Sequence, residues 1–189
     1  GIQTRLRDVV KVALKRGAKV TILLERRSSQ EIDLPLSTNL KIYNFRDVKY
    51  KEFKRPFKRL DRFRFLVWIA WKVFLIQPTN VLVFLNRFSF FLVIIRIILR
   101  FWGRNWRLVL NEGIVTSKYL EQYESESWKN MVKWTYPLAD MVIVPTRAVA
   151  NDLDQNFGIA KNKIKIIRSW VTNNITIKNK KTYDGIFVG

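Results

Sequence analysis

The stretch from Met141 to Ile167 restricts the fold more tightly than any other part of the chain. Met141 to Val144 is a short apolar run with β-branched residues, the composition of a strand buried on both faces. Pro145 stops it, and Thr146 can accept a hydrogen bond from a free backbone N–H as a helix N-cap. Val149, Leu153 and Phe157 then recur every four residues on one helical face, and Gly158 suits a left-handed C-cap. Lys163 to Ile167 reads as a second strand. Strand, helix and strand joined by tight loops make a βαβ unit, which requires a parallel sheet.

The rest of the chain repeats the alternation. Leu6, Val9, Val10, Ala13 and Leu14 give Arg5 to Arg16 one apolar helical stripe, ended by Gly17, with a strand over Val20 to Leu24. Arg26 to Asn39 is polar and holds Pro35, a loop pattern, and Leu40 to Phe45 is the next strand. A strongly apolar helix over Arg59 to Ile76 stops at Pro78, and Val81 to Leu85 is a buried strand. Phe88 to Trp102 is helical, Trp106 to Leu110 a strand, and Thr116 to Pro137 mostly helical. Asn173 to Thr182 is polar and lysine-rich, a linker pattern.

Composition closes several chemical routes. The 189 residues include no cysteine and no histidine, which excludes a disulfide framework, a thiolate or imidazole metal site, and a histidine-based triad. Carboxylates, lysine, tyrosine and backbone groups remain for chemistry. With 35 basic against 15 acidic residues the net charge is +20. Between Arg46 and Arg107, 15 basic residues face 3 acidic ones, a surplus of 12, with aromatics interleaved. Such a field favours a polyanionic partner: anionic lipid, lipid-linked phosphate or nucleic acid. The apolar run Phe88 to Trp102 is too short to span a bilayer, and Arg96 and Arg100 within it would each cost about 2.5–3.5 kcal/mol at the bilayer centre. Two readings stand: a helix packed on the sheet, or one that also lies in a membrane interface with its arginines at the headgroups.

Three segments resemble one enzyme family in the right order. "ADMVIVPTRAVANDLDQNFGIAKNKIKIIRSWVTNN" resembles the end of the N-terminal domain of family-four glycosyltransferases of the GT-B fold. "GIQT" followed by "VVKVALKRGAKVTILL" is similar to that family's opening glycine turn, first helix and second strand, and "DGIFVG" to the strand opening its donor domain. The resemblance implies an α/β, doubly wound, Rossmann-like parallel sheet. It implies a GT-B N-terminal (acceptor) domain over 1–172, a linker over 173–182, and over 183–189 the first strand of a C-terminal donor domain, with strand one lying before Gly1.

On that basis the chain is the acceptor-binding half of a bacterial transferase, inactive alone. The complete enzyme would move a sugar from a UDP- or GDP-sugar to a glycan or lipid-linked acceptor in cell-surface polysaccharide synthesis. Retention of configuration, no metal, and no cofactor besides the nucleotide-sugar substrate are implied, as is a cytoplasmic location peripheral to the inner face of the membrane. Gly1, Gln3, Thr4, Asn111 and Arg147 would line the substrate cleft, and Arg62, Arg64, Arg96 and Arg100 would meet an anionic surface. Where the family often carries a histidine or carboxylate, this chain offers Glu112, as an acceptor-orienting group or base, or as a carboxylate favoured by a helix N-terminus. The alternative is a non-catalytic basic α/β module for anionic membrane or nucleic acid.

Overall fold

The computed structural model describes residues 2–26, 34–35, 37–46, 59–84, 86–123, 126–167 and 185–188. Within them, α1 (Ile2–Lys15) leads into β1 (Val20–Arg26) and then β2 (Leu40–Arg46). Next come α2 (Arg59–Ile76), β3 (Asn80–Val83), α3 (Asn86–Phe101) and β4 (Arg107–Asn111). Two helices, α4 (Thr116–Tyr123) and α5 (Glu126–Thr135), and a 3-10 turn at Tyr136–Leu138 precede β5 (Met141–Val144). The chain continues through α6 (Arg147–Phe157) to β6 (Ile164–Ile166) and β7 (Gly185–Val188).

All strand pairs are parallel, in the order β2-β1-β7-β3-β4-β5-β6. The doubly wound, Rossmann-like parallel sheet expected from the sequence is present. Gly185–Val188, which the resemblance assigns to a following domain, pairs here with β1 on one side and β3 on the other. β7 lies in the slot between β1 and β3, where its Ile-Phe-Val run has the composition of a central strand. Connections between parallel strands are right-handed.

The same handedness rule sorts the helices. α1 buries Leu6 and Val10 on one face of the sheet, against Val20, Ile22 and Phe84. The helices from α2 to α6 cover the opposite face, with Phe65, Ile69, Val73, Leu92, Val132, Leu153 and Phe157 packed over Val81, Leu108, Leu110, Val142 and Val144. The expectation that Met141 to Val144 is buried on both faces is therefore corrected. Val142 and Val144 are fully buried, whereas Met141 and Ile143, on the sparsely covered side, are half-buried.

The βαβ unit forms as its residues dictate. Thr146 Oγ1 accepts from the Val149 N–H at 3.3 Å, and Gly158 ends α6 at φ +66°. Its N–H bonds the Asp154 carbonyl, closing an orphan carbonyl of the last turn. Thr116 to Pro137 is mostly helical, as expected, in the form of α4, α5 and the 3-10 turn. Its start is fixed from outside: Asp152 on α6 accepts from the Ser117 N–H at 3.1 Å and from the Ser117 hydroxyl. No helix among the described residues is long and apolar enough to cross a membrane.

Candidate active-site edge

Because every strand is parallel, all carboxyl ends share one edge, the edge where open α/β sheets bind ligands. β4 delivers Asn111, Glu112 and Gly113 there. β5 delivers Arg147 at the start of α6, one strand away. α1 starts at this edge and runs away from it before entering β1, so its first turn, with Gln3 and Thr4, lies there too. Gly1 and the side chains of Gln3 and Thr4 fall outside the described residues. The topology thus gathers the described backbone positions expected to line a cleft.

Their side chains differ in access. Glu112 has 0% exposure and Asn111 is 8% exposed, whereas Arg147 is exposed. The Glu112 N–H donates to the Ile143 carbonyl at 2.9 Å, tying the end of β4 to β5. The Tyr136 hydroxyl donates to Glu112 Oε1 at 2.6 Å, and Tyr136 is itself fully buried. Burial pushes the Tyr136 phenol well above its ordinary range, and the Glu112 carboxylate beside it raises it further. A hydrogen bond with Ser89, from the first turn of α3, works in the opposite direction. Ser89, Glu112 and Tyr136 therefore form a sealed polar cluster beneath the loop that follows β4. As it stands, this carboxylate braces the loop and does not face solvent.

One residue that the sequence reading did not single out joins the edge. A Cβ built on Gly113 would lie 3.4 Å from Arg5 Nη1, so the Arg5 guanidinium rests against the loop immediately after Glu112. Arg5 is half-buried. Its place in the first turn of a helix that starts at the carboxyl edge was the available signal, but the helical pattern accounted only for its apolar neighbours. Thr116, at the far end of the same loop, is 1% exposed, and its hydroxyl has no partner among the described residues.

The arginines expected at an anionic surface separate into two kinds. Arg96 turns inward: its Nη1 donates to the Leu138 carbonyl at 2.9 Å and its Nη2 to Asp140 at 2.9 Å. Asp140 also accepts from the Leu108 N–H at 2.7 Å, so Arg96 clamps α3 to the loop before β5 and is not presented to a surface. Arg64 and Arg100 are exposed, and the Arg62 side chain lies outside the described residues. Around them α2 exposes Phe63, Val67, Trp71 and Leu75, and α3 exposes Ile97, Ile98 and Phe101, followed by Trp102. Phe74 joins the two groups, in ring contact with Trp71 at 6.2 Å and Trp102 at 6.1 Å. A shallow cavity of about 460 Å³ opens beside Ile97, Arg100 and Phe101.

The sequence matches the family described as Glycosyltransferase Family 4 over residues 1–172. The chain belongs to glycosyltransferase family 4. Among solved structures it is similar to Anabaena Alr3699/HepE, crystallised in complex with UDP and glucose, with a TM-score of 0.50 and 12% identity. That match covers 86% of this chain and 40% of HepE, so the chain spans less than half the length of its structural relative. At this identity the likeness shows a shared fold. No curated protein sequence matches the chain.

Proposed function

We propose that this family 4 chain supplies the acceptor-binding half of a transferase that moves a sugar from a nucleotide-sugar to a glycan or lipid-linked acceptor. The observation that carries the reading is the family match over 172 residues, which includes the loop after β4. HepE, which shares the fold, was crystallised with UDP and glucose, which favours a UDP-sugar donor. In this reading the complete protein closes a donor-binding half over the carboxyl edge, excludes water and stabilises the leaving diphosphate electrostatically. It retains anomeric configuration and uses no metal or cofactor. Glu112 acts by holding the loop through Tyr136, since a general base must reach the proton it takes. The test is sugar-dependent UDP release by the full-length protein, with membrane extract as acceptor, across a panel of UDP- and GDP-sugars. Release with none of them would remove the transferase reading.

A second element of the proposal is attachment to the inner face of a bacterial membrane, in support of polysaccharide synthesis. The exposed strip on α2 and α3 mixes aliphatic with aromatic side chains and is flanked by Arg64 and Arg100. Nucleic-acid stacking would use the rings alone, whereas a bilayer interface accommodates both. Each basic residue near an anionic surface contributes about 1 kcal/mol. Co-sedimentation should show binding to phosphatidylglycerol vesicles and little to phosphatidylcholine, with the double variant Phe101→Ser, Trp102→Ser weakened at unchanged fold. Equal retention of the variant and the parent would refute the surface.

A further inference from the structure

The geometry points to Arg5 as the residue that reads an anionic group on the acceptor, a phosphate or a carboxylate, at the carboxyl end of β4. The inference rests on the acceptor-binding reading above and adds the chemical class of what is bound.

Three observations carry it. First, the position: Arg5 Nη1 stands 3.4 Å from where a Gly113 side chain would begin, at the ligand-binding edge of the sheet. A Cβ at this position would make ordinary van der Waals contact with the guanidinium, so the contact fixes where Arg5 lies. Second, the lack of a fixed partner: among the described residues Arg5 forms no ion pair. By contrast, Arg7 reaches Asp8 at 3.8 Å and Arg96 is held by Asp140 at 2.9 Å. The neighbouring carboxylate Glu112 is sealed off and bonded to Tyr136. A half-buried guanidinium has lost part of its hydration, which makes an incoming anion favourable. Third, the local field: Arg5 belongs to the first turn of α1, where the helix dipole also favours negative charge. Arg147 on the same edge is exposed and more solvated, so it is the weaker determinant. The planar fork of Arg5 fits two oxygens of one phosphate or carboxylate group, which an ammonium cannot match.

The test uses the whole chain and three probes: inorganic pyrophosphate, glucuronate, and glucose as the neutral control. Binding is followed by calorimetry and by amide chemical shifts around Gly113. Arg5→Gln should weaken binding of the preferred anion at least tenfold, Arg5→Lys should fall between, and Arg7→Gln should match the parent. Preference for pyrophosphate identifies a phosphate-bearing acceptor, and preference for glucuronate an acidic sugar; either supports the role. Binding of neither anion, or equal binding by parent and Arg5→Gln with both folded, overturns it. Failure of the sugar-dependent release assay with Arg5-dependent anion binding intact would instead count against the transferase reading alone.

Discussion

Replacing Tyr136 with phenylalanine tests whether the sealed cluster beneath the β4 loop holds the candidate site. The substitution keeps the ring in its fully buried seat and deletes only the hydroxyl that donates to Glu112 Oε1 at 2.6 Å. A hydrogen bond to a charged group contributes about 1.5–3 kcal/mol, and its loss leaves Glu112 less well solvated inside the protein. For a chain of 189 residues that corresponds to a fall in Tm of about 3–12 °C, at 2–4 °C per kcal/mol. The pH dependence gives a second reading. The folded phenol is raised above its ordinary value, so the unfolded state releases this proton first, near pH 10. Stability from Tyr136 is therefore complete below about pH 10 and falls above it by about 1.4 kcal/mol per pH unit until the folded phenol also titrates. Tyr136→Phe lacks that group, so the difference between the two proteins isolates it. Urea unfolding of both between pH 7 and 11 should show a constant gap up to about pH 9 and a narrowing gap above pH 10. A gap under about 0.5 kcal/mol at neutral pH, or one unchanged between pH 9 and 11, would refute the reasoning.

Three further perturbations address separate parts of the fold. Thr146→Ala removes the cap on the Val149 N–H and should cost about 1 kcal/mol, and Gly158→Ala at φ +66° should cost about 1–2 kcal/mol, both read by denaturant midpoint. Arg96→Ala breaks the tie from α3 to Asp140 and Leu138 and should lower stability by about 1–2 kcal/mol, after discounting for partial exposure, while vesicle co-sedimentation stays unchanged. Phe65→Ala empties a fully buried seat beside Phe45, at 5.2 Å, and Trp68, at 5.8 Å, and should cost about 3–5 kcal/mol by thermal unfolding.

The parts of the chain legible in advance are those whose causes are local. The strand at Met141, the Thr146 cap and the Gly158 stop each depend on residues within a few positions, and all three formed where expected, although the strand is fully buried on one face only. The anchor of the α4 start was not legible, because the carboxylate that accepts from Ser117 is Asp152, 35 residues away. The partners of Arg96 and Glu112 lie 44 and 24 residues distant, and no periodicity encodes such pairs. An arginine in an apolar run was read as bound for a headgroup, although a carboxylate on a neighbouring connection gave it a shorter path out of solvent isolation.

The helix α2 shows the remaining limit most plainly. Its apolar residues form two stripes, Phe65, Ile69 and Val73, which are buried, and Phe63, Val67, Trp71 and Leu75, which are exposed. Each stripe has a spacing of four, and they are offset by two residues, which is about 200° around a helix. Periodicity alone therefore cannot say which stripe meets the sheet. The choice is made by the sheet, where Phe65 and Trp68 of α2 meet Phe45 of β2 in a ring cluster, and Lys72 lies 3.9 Å from the Tyr43 ring. The opposite stripe then faces outward, beside the exposed end of α3 and the exposed arginines. An ordinary surface helix would be polar there. A helix apolar on both faces needs an apolar environment on both, and the sheet supplies only one. The reading of α2 and α3 as a membrane-facing pair therefore rests on the stripe the core did not use, and the strip's loss of binding on Phe101→Ser, Trp102→Ser is its direct measure.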